Sequence, residues 1–140
     1  MTTDRVALSQ SARPESVGLL RREVVAYARG IGASDEACET VAMAVSEALT
    51  NAVVHAYADR KPGQVIVEAW QDEAGHLVVV VCDEGPGIRP RIDSPGLGLG
   101  LSIMAQVATE IRVTDRPQAA GAMVLLRFSL EDAATTSPRA

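Results

Sequence analysis

Lysine is almost missing from this chain: Lys61 is the only one, and the other basic residues are all arginine. No run of basic residues occurs. Arg21–Arg22 and the pair Arg89 and Arg91 are too short to count as one, and a net charge of −5 leaves no basic patch to attract a nucleic-acid backbone. Cysteine is scarce too. Cys38 and Cys82 stand far apart with no CxxC spacing, so neither a zinc site nor a disulfide framework is indicated, and two structural thiols in a reducing compartment is the expectation. No apolar stretch approaches the roughly 20 residues needed to cross a bilayer. The opening MTTDRVALSQ lacks the basic-then-apolar order of a signal peptide, which points to the cytoplasm. Gly-Lys-Ser/Thr is absent, which excludes a Walker A phosphate loop. Internal repeats are absent as well.

What remains is a chain of 140 residues, 47% apolar, the size of one domain around one core. A single domain over 5–130 is expected, with flexible tails at 1–4 and 131–140. Residues 4–9 alternate weakly as an edge strand. Pro14 opens a helix whose apolar positions Val17, Leu20, Val24 and Ala28 keep helical spacing, and Gly30 and Gly32 close it. Ser34 caps a second helix reaching about residue 58, with the stripe Val41, Val45, Ala48 and Ala52. The runs 64–70 and 76–82 read as a β-hairpin, the second apolar on both faces as a central strand would be. A third helix at about 98–108 and strands near 110–115 and 122–129, around a turn with Gly121, complete the order. Helices gathered on one face of a mixed, mostly antiparallel sheet make a two-layer α+β sandwich.

Three features do not belong to an ordinary core. In AMAVSEALTNAVVHAY, almost wholly apolar or small, Glu47, Asn51 and His55 recur every fourth residue. They therefore share one helix face, drifting about 40° per step. A carboxylate and an amide there are costly unless they meet water, metal or ligand; a narrow solvent-facing stripe is the competing reading. Directly after the strand ending at 82 comes Asp83-Glu84-Gly85-Pro86-Gly87. A carboxylate at a strand end, followed by glycines, admits a planar ligand to the backbone and accepts a hydrogen bond from an exocyclic amine such as adenine's. An ordinary tight turn has the same composition. Finally, residues 83–100 hold five glycines and three prolines and end in Gly96-Leu97-Gly98-Leu99-Gly100. Backbone N–H groups exposed at a helix start suit phosphate oxygens, and a flexible hinge is the alternative.

Glu-x-x-x-Asn on a helix, then Asp-x-Gly-x-Gly after a strand, then Gly-x-Gly-x-Gly before a helix resembles the Bergerat-type nucleotide site of gyrase, MutL and histidine kinases. The wording SEALTNAVVHAY, DEGPGI and GLGLSIM is most similar to the bacterial anti-sigma-factor serine-protein kinases, over about residues 5–130. That resemblance implies the Bergerat fold, ATP and Mg²⁺ as cofactors, and a homodimer. It implies two partners, a sigma factor that is sequestered and an anti-anti-sigma protein phosphorylated on serine. Carried over by position, Glu47 is the general base, and Asn51 holds Mg²⁺ and through it the phosphates. Asp83 binds the adenine amino group, with Gly85 and Gly87 shaping the pocket, and Gly96, Gly98 and Gly100 line the phosphates. His55 lies in the same box, either beside the site or as a structural histidine. Arg21 falls where the family uses an arginine for partner contact.

Two departures stand out. Only eight residues, IRPRIDSP, separate Gly87 from Gly96, where the better-known kinases of this branch carry a longer lid. Gly121-Ala122 replaces the family's Gly-Thr, so one hydroxyl is missing. The alternatives to a kinase are a non-catalytic nucleotide-dependent switch and a histidine-kinase catalytic domain. The latter is disfavoured because no helix pair with a phospho-accepting histidine precedes the domain.

Overall fold

The computed structural model describes residues 5–57, 63–84, 108–117 and 119–131. The chain runs β1 (Arg5–Ser11), α1 (Pro14–Gly30), α2 (Asp35–Tyr57), β2 (Gln64–Gln71), β3 (Leu77–Asp83), β4 (Glu110–Asp115) and β5 (Ala122–Phe128). The strands form one sheet in the order β1-β2-β3-β5-β4. The sheet, expected to be mixed and mostly antiparallel, is antiparallel at every described pairing. The third helix expected at about 98–108 and both tails fall outside the described residues, apart from Ala108 and Glu131.

Local chemistry explains the helix boundaries. Pro14 starts α1, and the Ser16 hydroxyl donates to the Ser11 carbonyl at 2.6 Å, tying the first turn to the end of β1. At the other end Gly32 takes φ +103°, Ala33 N–H reaches the Ala28 carbonyl and Gly32 N–H the Arg29 carbonyl, a Schellman closure. Four residues, 31–34, suffice to turn the chain. Ser34 then accepts the Ala37 N–H at 3.0 Å through its side chain, the N-cap expected from sequence.

Both helices lie on one face of the sheet. From α1, Leu20, Val24 and Ala28 enter the core; α2 contributes Ala37, Val41, Ala44, Val45, Ala48, Leu49, Ala52 and Val53. Buried alanines on α2 let it approach both α1 and the sheet, and its buried face is wider than the four-residue stripe expected. Val65, Val67 and Ala69 of β2, Leu77, Val79 and Val81 of β3, and Leu126 and Phe128 of β5 complete this layer. Side chains alternate along a strand, so the far face carries Ile66, Trp70, Val78, Val80, Met123 and Leu125. Val78 and Val80 are buried there as well, which is why β3 reads as apolar on both faces.

The β2–β3 hairpin is organised by one carboxylate. Asp72 accepts the N–H groups of Ala74 and His76 at Oδ1 and the Arg127 Nε at Oδ2, the last at 2.9 Å. Arg127 also reaches Glu110, so the turn is linked through β5 to the edge strand β4. Burial opposes the charge on Asp72, but the His76 amide, Arg127 and the Ala74 amide outweigh it and hold the carboxyl below its ordinary range. A depressed folded-state value means stability present above the unfolded carboxyl's pKa and lost as pH falls through the folded one. Asp72→Ala is therefore expected to cost about 2 kcal/mol at neutral pH, the worth of a charge-assisted hydrogen-bond set. Urea unfolding of both proteins checks this, and the gap should close progressively below about pH 4.

Candidate nucleotide site

Glu47 and Asn51 sit one turn apart on α2, and their neighbours Ala48, Leu49, Ala52 and Val53 are all in the core. The two polar side chains are half-buried at the border between that core and the solvent-facing stripe of Met43, Thr50 and Val54. They are neither an ordinary exposed stripe nor fully interior. The Asn51 Nδ2 atom is buried and has no hydrogen-bond partner, an arrangement worth removing unless a ligand repays it.

Asp83 ends β3. It is in phase with Val79 and Val81, whose side chains join the helix-side core, and it is only 6% exposed. Buried carboxylates need partners, and Asp83 Oδ1 accepts the Ala122 N–H at 3.2 Å. Because α2 packs across β3, the helix bearing Glu47 and Asn51 covers the strand that ends in Asp83. Gly85, Gly87, Gly96, Gly98 and Gly100, together with Arg89 and Arg91, lie outside the described residues, and so does the side chain of His55.

The remaining sequence candidates divide. Arg21 donates from Nη1 to the Ser46 hydroxyl at 3.2 Å, across the α1–α2 seam and next in sequence to Glu47. His76 precedes β3, at the opposite end of that strand from Asp83, and its Nδ1 is buried without a partner. Trp70 lies on the far face of the sheet, with the Arg5 guanidinium 4.7 Å above its ring. Neither belongs to the site.

Two contacts were not read from sequence. Glu84, which follows Asp83, accepts the Gln64 N–H at 3.0 Å and so ties the end of β3 to the start of β2. Gly121 adopts φ +123° against Asp83, where a Cβ would stand 1.8 Å from the Asp83 carbonyl oxygen. Only the placement of Gly121 one residue before the departure at Ala122 hinted at this. Next to Asp83, burial pushes the Cys82 thiol up, with Arg116 pulling the other way.

The donor chemistry suits magnesium nucleotide. Carboxamide and carboxylate oxygens are hard donors, and the orphaned Asn51 Nδ2, an N–H donor, would meet a phosphate oxygen and not the ion. Among the described residues no three His, Cys, Asp or Glu side chains form a metal cage of their own. Mg²⁺ here would draw most of its oxygens from phosphates and water, as this small hard ion commonly does.

Residues 10–128 match the model of the histidine kinase-like ATPase domain. The serine-protein kinase RsbW of Bacillus subtilis is 34% identical over 125 residues, covering 79% of this chain and 78% of its own. The anti-sigma F factor of Clostridium acetobutylicum is 30% identical over 124 residues, covering 81% and 85%. Among solved structures, the RsbU and RsbW domains of a Mycobacterium tuberculosis protein superpose with a TM-score of 0.72 at 23% identity. That match covers 91% of this chain and only 33% of the longer solved one, and it speaks for the fold.

Proposed function

The chain belongs to the histidine kinase-like ATPase family, in its branch of serine-protein kinases and anti-sigma factors, and from that premise we propose that it binds ATP with Mg²⁺, sequesters a sigma factor and phosphorylates a serine of an anti-anti-sigma protein. The observation that carries this reading is the pairing on α2: a half-buried carboxylate one turn before a half-buried amide with an orphaned Nδ2, on the helix that covers Asp83.

Each residue has a physical task. Asp83, held at Oδ1 by the Ala122 amide, accepts a hydrogen bond from the adenine 6-amino group. Asn51 contributes its carboxamide oxygen to Mg²⁺, which when bound neutralises charge on the phosphates. Glu47, half-exposed one turn away, takes the proton of an incoming serine hydroxyl. Gly85 and Gly87 are assigned to the purine pocket, and Gly96, Gly98 and Gly100 to the phosphates. Phosphoryl transfer demands mainly positioning and charge neutralisation, which a site of this kind supplies without a covalent enzyme intermediate.

The test is transfer of γ-labelled phosphate from ATP to a serine of a small anti-anti-sigma protein from the same genome. Label on the partner supports the kinase; ATP binding by calorimetry without transfer leaves a nucleotide-dependent switch; no ATP binding overturns the site.

Two further assignments belong to this reading. The face of the sheet opposite α1 and α2, with Ile66 and Trp70 of β2 and Met123 and Leu125 of β5, is the surface we assign to a homodimer. Sedimentation equilibrium is expected to give twice the chain mass, and a monomer at micromolar concentration would remove the assignment. Among the described residues no helix is long and apolar enough to cross a membrane, and a sigma-factor partner places the working protein in the cytoplasm.

A further inference from the structure

The connection between β4 and β5 makes more of Asp83 than the sequence assigned to it. Arg116, just after β4, donates its backbone N–H to the Gly121 carbonyl at 3.0 Å. Its Nη1 donates to the Ala120 carbonyl at 3.1 Å. The same corner then meets Asp83 twice. Gly121 lies against the Asp83 carbonyl oxygen so closely that no Cβ fits, and the next N–H, that of Ala122, donates to Asp83 Oδ1. The Arg116 stem closes the other side: its Cδ stands 3.0 Å from where a Gly121 Cβ would be.

These contacts form a short chain of cause. A carboxylate gripped at one oxygen by an amide can turn about its Cβ–Cγ bond only by breaking that hydrogen bond. The direction in which Asp83 presents itself is therefore tied to where the Ala122 amide lies. Residue 122 is alanine and offers no hydroxyl, so its contact to the carboxylate runs through the backbone N–H. A backbone contact cannot adjust by a rotamer change; it is only as well placed as the corner that carries it. The structure gives that corner two hydrogen bonds from Arg116.

We propose that Arg116 is a positioning residue for nucleotide recognition: it fixes the Ala120–Ala122 corner, which in turn fixes Asp83 toward the purine 6-amino group. The inference rests on the adenine role of Asp83 proposed above. It assigns base selectivity to a residue on the connection beyond the sheet's edge strand, outside all three sequence boxes.

Gly121→Ala is the direct perturbation, but it forces backbone apart at a positive φ and can unfold the corner outright. Arg116→Met is the cleaner variant, since it keeps the aliphatic stem and deletes the guanidinium. Calorimetry on the full chain with Mg²⁺ would compare ATP with purine riboside triphosphate, which lacks the 6-amino group. Arg116→Met is expected to weaken ATP by about three- to tenfold, the worth of one ordinary hydrogen bond, and the probe much less, so that discrimination shrinks. Arg116→Lys, which retains a donor for the Ala120 carbonyl, should recover part of the loss. Equal weakening of both nucleotides, or none, overturns the inference, because a merely structural arginine has no reason to sense the amino group. Asp83→Ala run alongside separates the two levels. If it leaves the ATP-to-probe ratio unchanged, the adenine role of Asp83 falls and this inference with it. If it collapses the ratio while Arg116→Met does not change it, only the positioning role falls.

Discussion

Glu47→Gln is expected to abolish serine phosphorylation while ATP still binds. The substitution preserves shape and the capacity to hydrogen-bond, so α2 keeps its packing through Ala48 and Leu49. What it deletes is basicity: an amide cannot take the serine proton as the oxygen attacks phosphorus. General-base removal costs typically about 10²- to 10⁴-fold, which brings transfer near the background of a radiolabel assay. Calorimetry should find ATP affinity within a small factor of wild type, since the carboxylate is assigned to the hydroxyl and not to the nucleotide. Single-turnover transfer measured beside it makes the separation quantitative. Full activity in the Gln variant would remove Glu47 as the base and leave it a polar residue on the helix border.

The polar face carrying Glu47 was open to a sequence reader because of contrast, whereas the base role came only from the family resemblance. Three polar residues at steps of four in an otherwise apolar segment cannot be hidden, and the structure places Glu47 and Asn51 at the core border with an amide nitrogen unpaired. The helix ends were legible for the same kind of reason: Pro14, Ser34 and Gly32 each act within four residues of themselves. Strand β3 announced its central place by being apolar at every position from Leu77 to Cys82.

Other features depend on contacts far apart in the chain. The insertion of β5 between β3 and β4 follows from pairings such as Val80 with Leu125 that no local pattern encodes. β1 extends to Ser11, past the expected end at 9, because Ser11 and Gln64 pair and Ala12 N–H reaches the Gly63 carbonyl. Glu84 looked like part of a glycine turn and proves to hold the first amide of β2, a partner twenty positions away. Gly121 looked like a turn glycine. Its reason is the Asp83 carbonyl, which only the folded sheet brings beside it.

Asn51→Ala should have opposite effects on the empty and the loaded protein. In the empty protein the Asn51 Nδ2 is buried without a partner, and such an atom costs about 1–3 kcal/mol of desolvation. Alanine is also the better helix former. The empty variant is therefore expected to melt at or above the wild-type temperature, although a half-buried side chain has been truncated. With ATP and Mg²⁺ the order should reverse. Removing a contact to the Mg²⁺-loaded nucleotide is worth about 2–3 kcal/mol, or roughly 30- to 160-fold in affinity. Stabilisation by ligand follows the ratio of free ligand to dissociation constant, so the thermal shift given by MgATP should shrink accordingly. ATP in excess EDTA supplies the control: if Asn51 acts through Mg²⁺, wild type and variant should bind metal-free ATP with similar affinity. A variant that loses stability when empty and keeps its MgATP shift would make Asn51 a packing residue and return the polar face of α2 to solvent.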